Sequence, residues 1–239
     1  MPELTTYDVS NWVAVLRLDR PEARNAISTR MLEEILVHLD SARSDDEVRA
    51  LVISSTDHLG LSAGADVREE LDPAGSVRRM QLFADLYDQL TAFPKPTVAA
   101  CHGACVGGGA EIAVACDLRV GGSNLRLRFP GASLGVPVGP ARLVTLCGLS
   151  VAKYLLIGGK EVAADEALRW GLVHKVAPAA RTEQVAIDLA TTAADHPPEA
   201  VARMKQMLHE WDGVIERSRA EGEGQVEWAR TGPGLPHRD

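Results

Sequence analysis

Two stretches of small residues are the part of this chain best suited to chemistry. Residues 61–66 read Leu-Ser-Ala-Gly-Ala-Asp, and residues 103–111 read Gly-Ala-Cys-Val-Gly-Gly-Gly-Ala-Glu. Glycine and alanine let a ligand approach the main chain closely, and glycine adopts backbone conformations that other residues avoid. Two backbone N–H groups aimed at one oxygen would form an oxyanion hole, in which each donor stabilises developing negative charge by about 3 to 4 kcal/mol.

The carboxylate of Glu111 adds a proton-transfer group to this pattern. We predict a helix over residues 108–116, which places Glu111 in its first turn, facing the same reacting centre as the glycine loop. A carboxylate in that position can act as a general acid or base. It can also simply stabilise the positive end of the helix dipole.

Hydrophobic patterning predicts the elements that position these loops. Strands are expected at 5–9, 12–18, 50–54, 97–101, 118–120 and 125–129, and helices at 29–43, 77–92, 108–116, 140–146, 151–157, 163–170, 182–194 and 198–210. The alternation of strands and helices in the first part indicates parallel βαβ units. The last third is predicted to be helical.

Composition narrows the functional classes. The chain has 239 residues, 46% of them hydrophobic and 24% charged, which is typical of a globular protein. Its net charge of −8 argues against a nucleic-acid or anionic-membrane partner. The four cysteines and seven histidines show no metal-ligand spacing, so we expect free thiols and no metal site. With no signal-peptide pattern and no apolar run of about 20 residues, we expect a cytoplasmic protein.

Several motifs occur in an order that resembles the crotonase, or enoyl-CoA hydratase/isomerase, superfamily. Besides the two glycine-containing loops, the segments that match the family are residues 18–26 (Leu-Asp-Arg-Pro-Glu-Ala-Arg-Asn-Ala), 116–119 (Cys-Asp-Leu-Arg), 129–137 and 171–173. The resemblance covers about residues 5–180. It implies an α/β fold of the ClpP/crotonase type: a spiral core of ββα units over residues 1–180, then a helical trimerisation or lid region over residues 181–239. It also implies a homotrimer or a dimer of trimers that acts in fatty acid metabolism.

The resemblance also implies an acyl-CoA substrate, with coenzyme A as part of that substrate and no separate cofactor. By motif position, the oxyanion donors would be the N–H groups of Ala65 and Gly108, and Glu111 would be the acid or base. The residues implied in substrate or CoA binding are Ala23, Arg24, Ala63, Ala65, Asp66, Val67, Arg68, Gly108 and Gly131. For Arg24 and Arg68 the alternative is solvated surface, and for Asp66 it is a cap of the following turn.

One departure from the family pattern leaves the reaction open. Hydratases of this family use two glutamates, and the second belongs where this chain has Gly131. Four alternatives therefore stay open: hydration, isomerisation, decarboxylation, and acyl-CoA binding with weak catalysis. The decarboxylase branch places a tyrosine where this chain has Val138. If Gly131 marks the second acid/base position, replacing it with glutamate should raise the hydration of crotonyl-CoA.

A hypothesis of another class comes from residues 131–135. They read Gly-Ala-Ser-Leu-Gly and match the Gly-x-Ser-x-Gly motif of serine hydrolases, with Ser133 as the nucleophile. That motif requires a helix directly after the serine. Here Val136 and Pro137 follow instead, which makes this alternative remote.

Overall fold

Ten β-strands occur in the part of the chain that the computed structural model describes, residues 3–232. They are β1 (Thr5–Ser10), β2 (Val13–Leu18), β3 (Ala50–Ser55), β4 (Gly60–Ser62), β5 (Thr97–Cys101), β6 (Ala104–Val106), β7 (Leu118–Gly122), β8 (Arg126–Arg128), β9 (Val162–Ala163) and β10 (Lys175–Ala177). One sheet has the order β1-β2-β3-β5-β7-β10 and the other β4-β6-β8-β9.

Eight α-helices accompany these strands within residues 3–232. They are α1 (Thr29–Ser44), α2 (Pro73–Thr91), α3 (Gly108–Ala115), α4 (Pro140–Leu156), α5 (Ala164–Arg169), α6 (Thr182–Ala194), α7 (Pro198–Asp212) and α8 (Val214–Thr231). Short 3₁₀ turns cover Pro21–Ala23, Gly131–Leu134 and Ala179–Arg181.

The connections repeat a ββα unit. In β3-β4-α2, β5-β6-α3 and β7-β8-α4, the first strand joins the six-stranded sheet and the second joins the four-stranded sheet. Strands β3, β5 and β7 are parallel neighbours, and so are β4, β6 and β8. The predicted α/β spiral is therefore confirmed. Because β4 and β6 lie side by side and run in the same direction, the loops that follow them must meet.

Most predicted elements lie within a few residues of the observed ones, and the differences have local causes. Helix α2 begins at Pro73, four residues before the prediction, because the Asp72 side chain caps it by accepting a hydrogen bond from the Gly75 N–H at 2.6 Å. The predicted helices at 140–146 and 151–157 are two parts of α4, which is interrupted at Gly148 with φ of 75°.

Helix α8 lies in the region that was predicted to be helical, but its own bounds were not predicted from the sequence. Its buried face consists largely of small and polar residues, namely Val214, Ser218, Gly222, Gln225 and Val226. Such a face gives little hydrophobic periodicity, although it packs closely against α2 and α4.

The main core lies between the six-stranded sheet and helices α1, α2 and α3. The opposite face of the sheet is covered by α6 through Ala186, Ala190 and Ala194. Helix α6 belongs to the predicted C-terminal region, which begins at residue 181, and yet it packs on the sheet of the core. The division at 180/181 stays a prediction, and residues 233–239 of that region lie outside the described residues.

Within residues 3–232, no helix is long and apolar enough to cross a membrane. No three or more histidine, cysteine or acidic side chains in this part of the chain are grouped as metal ligands.

Candidate active site

The two loops predicted to form an oxyanion hole lie against each other. Gly64, in the loop after β4, has φ of 97°. A Cβ atom on Gly64 would lie 2.9 Å from the Val106 carbonyl oxygen and 3.5 Å from the Gly108 nitrogen. Only a residue without a side chain permits this contact, so the glycine at position 64 sets the distance between the loops.

The main chain around Ala65 is held on both sides. The Ile27 N–H donates to the Gly64 carbonyl at 2.8 Å, and the Asp66 N–H donates to the Ile27 carbonyl at 2.9 Å. These bonds fix the peptide units next to Ala65 without using its own N–H. Among the described residues, the Ala65 N–H donates no hydrogen bond to the protein.

Gly108 supplies the second predicted donor as the first residue of α3. The N–H groups of a first helical turn have no partner within the helix, and the first bond of α3 runs from the Glu111 N–H to the Gly107 carbonyl at 2.9 Å. Ala65 and Gly108 line one cavity. The main-chain N–H groups of these two residues are therefore the candidates for binding an oxyanion at this cavity.

Helix α3 is pressed against β4, and this fixes the direction of Glu111. A Cβ atom on Gly109 would lie 2.6 Å from the Ser62 Cβ, so this position requires glycine. The close approach carries Glu111, one half-turn further, to the lining of the cavity.

The Glu111 carboxylate is almost completely buried and is paired with Arg142 of α4. Its Oε2 accepts hydrogen bonds from the Arg142 Nη2 at 2.9 Å and Nε at 3.3 Å. The two side chains are each 2% exposed. The other oxygen, Oε1, lies towards Gly139, where a Cβ would be only 2.7 Å away.

Burial raises the pKa of Glu111 to about 7, with the Arg142 charge opposing this shift and the Glu221 charge adding to it. Taking a carboxylate out of water disfavours its charged form. A group that titrates near neutral pH can both accept and return a proton, which is the property required of a general acid/base.

Sequence reasoning missed the surroundings of Glu111. The Arg142 guanidinium also donates to Glu221 Oε1 at 2.6 Å and to Ser218 Oγ at 3.1 Å, both on α8. It lies 4.9 Å from the centre of the Tyr87 ring. The one sequence signal for this cluster is an arginine between the apolar residues 141 and 143 of a predicted helix.

The rest of the cavity lining is mainly apolar. Its members from α2, from residues 129–138 and from α8 are Met80, Phe83, Tyr87, Phe129, Pro130, Gly131, Leu134, Val136, Val138 and Gln225. Among the described lining residues, Glu111 is the one carboxylate. The Tyr87 phenol is kept neutral because burial, and then the Glu111 charge, raise its pKa well above the usual range.

Gly131 lies in this lining, but the structure gives a steric reason for glycine there. A Cβ atom at Gly131 would lie 2.6 Å from the Val136 carbonyl oxygen and 3.0 Å from Val138 Cγ1. The Val136 carbonyl and the Val138 side chain therefore occupy the space that a side chain at position 131 needs. We accordingly revise the expectation for Gly131→Glu: the turn must shift before a glutamate can fit.

The residues implied in CoA binding form a strip next to the loop of Ala65. The Ala63 N–H donates to the Arg24 carbonyl at 3.0 Å, which brings Ala23 and Arg24 alongside residues 63–68. The side chains of Arg24 and Arg68 are exposed, and Ala23 and Val67 are half-buried. Their role in binding CoA stays a prediction.

Asp66 has structural partners. Its carboxylate pairs with Arg20 at 2.6 Å and accepts a hydrogen bond from the Arg68 N–H at 3.0 Å. It is 7% exposed. These contacts favour the turn-capping alternative for this side chain.

Ser133 is exposed, and its hydroxyl donates to the Pro130 carbonyl at 2.8 Å. It lies in the 3₁₀ turn Gly131–Leu134. No histidine within residues 3–232 hydrogen-bonds to it, so the nucleophile that a serine hydrolase needs is not activated here.

Comparison with known proteins gives consistent matches. A family model described as "Enoyl-CoA hydratase/isomerase" matches residues 8–221. The chain is 36% identical over 205 residues to a 2,3-dehydroadipyl-CoA hydratase of Escherichia coli, covering 83% of this chain and 78% of that protein. It is 34% identical over 202 residues to a short-chain-enoyl-CoA hydratase of Clostridium acetobutylicum, covering 82% and 77%.

Among solved structures, the fold is similar to an enoyl-CoA hydratase/isomerase from Xanthobacter autotrophicus Py2. The TM-score is 0.87 at 26% sequence identity, and the match covers 98% of this chain and 89% of the other. The similarity therefore extends over both sheets and the C-terminal helices.

Proposed function

Because the chain belongs to the enoyl-CoA hydratase/isomerase family, we propose that it stabilises a thioester enolate with two main-chain N–H groups and moves a proton with one glutamate. The donors are Ala65 and Gly108, and the acid/base is Glu111. One observation carries this proposal: all three residues line a single cavity.

The chemistry follows from the acidity of a thioester. A proton on the carbon next to the carbonyl leaves readily only when the oxygen that gains negative charge is stabilised. The N–H groups of Ala65 and Gly108 are suited to that oxygen. Glu111, with a pKa raised to about 7 by burial, is suited to take the proton and return it.

A site with one carboxylate favours a reaction in which the same group removes and returns the proton. A shift of a double bond along the acyl chain has this form: a proton leaves one carbon and another is delivered two carbons away through the enolate. Addition of water requires a second group to activate the water, and Gly131 leaves that place without one. Isomerisation is therefore our second, more specific proposal.

The cavity also bears on the acyl group. Its volume is about 60 Å³, well below the roughly 300 Å³ at which pockets for drug-sized ligands begin. Its described lining carries no lysine or arginine. We propose a short, uncharged acyl group in the cavity, with the CoA moiety outside it along residues 23–24 and 63–68.

The assembly and location remain expectations from the family. A homotrimer or dimer of trimers would cover the exposed side chains of Met204, Leu208 and Trp211, which are 57%, 63% and 75% exposed on α7. We expect this assembly in the cytoplasm, in fatty acid metabolism. Light scattering coupled to gel filtration would measure the oligomeric state.

The test begins with an acyl-CoA that cannot be hydrated, isomerised or decarboxylated. In deuterated water, the protein should catalyse exchange of the Cα protons of butyryl-CoA, and mass spectrometry would follow the exchange. A panel of unsaturated and carboxylated acyl-CoAs would then be assayed for hydration, double-bond shift, CO₂ release and CoA release.

Two outcomes would contradict the proposal. Calorimetric binding of acyl-CoA without Cα exchange or turnover would indicate a binding protein. Covalent labelling of Ser133 by a fluorophosphonate, together with CoA release, would indicate a hydrolase.

A further inference from the structure

Helix α8 brings a second carboxylate into contact with the group that holds Glu111. Arg142 Nη2 lies 2.9 Å from Glu111 Oε2 and 2.6 Å from Glu221 Oε1. The Arg142 side chain is 2% exposed and that of Glu221 10% exposed. One buried cation is therefore divided between two anions from two different helices.

Glu221 is anchored independently of Glu111. Its Oε1 accepts a hydrogen bond from the Gly139 N–H at 3.1 Å, and its Oε2 accepts one from the Ala141 N–H at 2.7 Å. These are N–H groups at the start of α4, where the helix dipole favours a negative charge. The charge of Glu221 is thus fixed in place, whereas Glu111 faces the cavity.

The electrostatic consequence concerns Glu111. A carboxylate paired alone with a buried arginine is held strongly in its charged form and is a poor proton acceptor. A second anion on the same guanidinium weakens that hold. The charged and titratable groups that face Glu111 are Tyr87 from α2, Arg142 from α4 and Glu221 from α8.

We propose that Glu221 is a positioning residue. By pairing with the Arg142 guanidinium, it weakens the ion pair between Arg142 and Glu111, so that Glu111 can exchange a proton with the substrate. This proposal rests on the proposed function, since it assigns Glu111 a proton-transfer role. It also means that α8, which supplies Gln225 to the cavity lining, must be docked for Glu111 to work as an acid/base.

The test measures the titration of Glu111 directly. Infrared difference spectra of the full chain would follow the band of the protonated carboxyl, which is assigned by its loss in Glu111→Gln. We expect Glu221→Gln to move the midpoint of Glu111 to lower pH by about one unit, a tenfold loss of proton affinity. The pH profile of Cα exchange should move by the same amount.

Two further variants make the result specific. Glu223→Gln removes an equal charge from an exposed position of the same helix, and the midpoint should stay where it is in the unaltered protein. Glu221→Asp keeps the charge but draws it back by one methylene, so we expect a smaller shift in the same direction. If circular dichroism shows that Glu221→Gln does not fold, Glu221→Asp decides the question.

The outcomes separate the two proposals. An unchanged midpoint in a folded Glu221 variant overturns the positioning role, even if the enzyme turns over acyl-CoA through Glu111. The expected shift in a protein that exchanges no Cα proton supports the electrostatic effect of Glu221 on Glu111 but contradicts the proposed function, and with it a role of Glu221 in catalysis.

Discussion

The two sides of the cavity are built by different means. The proposed oxyanion side, Ala65 and Gly108, consists of main-chain groups held by close contacts of glycines with neighbouring strands. The carboxylate side, Glu111, Arg142 and Glu221, consists of side chains from three helices that are joined by buried ion pairs.

Because of this difference, we expect the two sides to tolerate amino-acid substitutions differently. On the oxyanion side, a single carbon added at Gly64 or Gly109 meets main-chain or Cβ atoms that cannot move aside, so the geometry there is fixed by steric exclusion. On the carboxylate side, the contacts are electrostatic, and a change of charge alters proton affinity while leaving the packing in place. We therefore expect substitutions on the first side to act through structure and on the second through protonation.

The largest effect should come from the carboxylate side. Glu111→Gln keeps the shape of the side chain and removes the acid/base, so turnover should fall by a factor of about 10² to 10⁴. Steady-state kinetics on whichever acyl-CoA is turned over would measure it. Acyl-CoA binding, followed by calorimetry, should persist; turnover within threefold of the unaltered enzyme would place the chemistry elsewhere.

A somewhat smaller loss is expected from the oxyanion side. Gly108→Pro removes the N–H donor at a position where a helix tolerates proline, and should lower kcat by a factor of about 10² to 10³. Gly108→Ala is the matched control, because it keeps the N–H and adds a Cβ 3.0 Å from Phe83 Cε1. Equal losses in the two variants would assign the effect to crowding and not to the donor.

The pH dependence of stability should distinguish the two sides further. The pKa of Glu111 is raised from 4.5 to about 7 in the folded protein. The folded state thus binds the proton more tightly than the unfolded state. The stability from this group is complete below pH 4.5 and is lost as the pH rises through about 7.

The measurement is the free energy of unfolding of the unaltered protein minus that of Glu111→Gln, obtained by urea denaturation across this pH range. The difference should fall by at most about 1.4 kcal/mol for each pH unit. A flat difference would mean that burial does not perturb Glu111.

The smallest expected effect compares two glycines within helices. Gly109→Ala places a Cβ 2.6 Å from the Ser62 Cβ and should cost about 1 to 3 kcal/mol of stability. Gly224→Ala, on α8, meets nothing within 4 Å and should instead stabilise the protein by about 0.5 to 1 kcal/mol. Chemical denaturation measures both, and opposite signs are required if steric exclusion shapes the oxyanion side.

Sequence patterns predicted local structure best where the pattern itself is the cause. The strand over residues 97–101 and the helix over 182–194 were predicted with their observed bounds, because β-branched and periodic apolar residues favour those structures. The bounds of helix α8 were not predicted, because the residues of its buried face are largely small and polar. The α/β class and the family were also predicted correctly, since their motifs are local.

By itself, the sequence determined which residues could do chemistry at the main chain. The glycines that permit close approach are recognisable one by one, because each acts through its own lack of a side chain. Only the tertiary structure decided that Arg142 and Glu221 surround Glu111. Those residues lie 31 and 110 positions from Glu111 along the chain, and they meet because α4 packs against both α3 and α8. An ion pair of this kind leaves no local pattern, since its free energy depends on distance and burial that exist only in the folded protein.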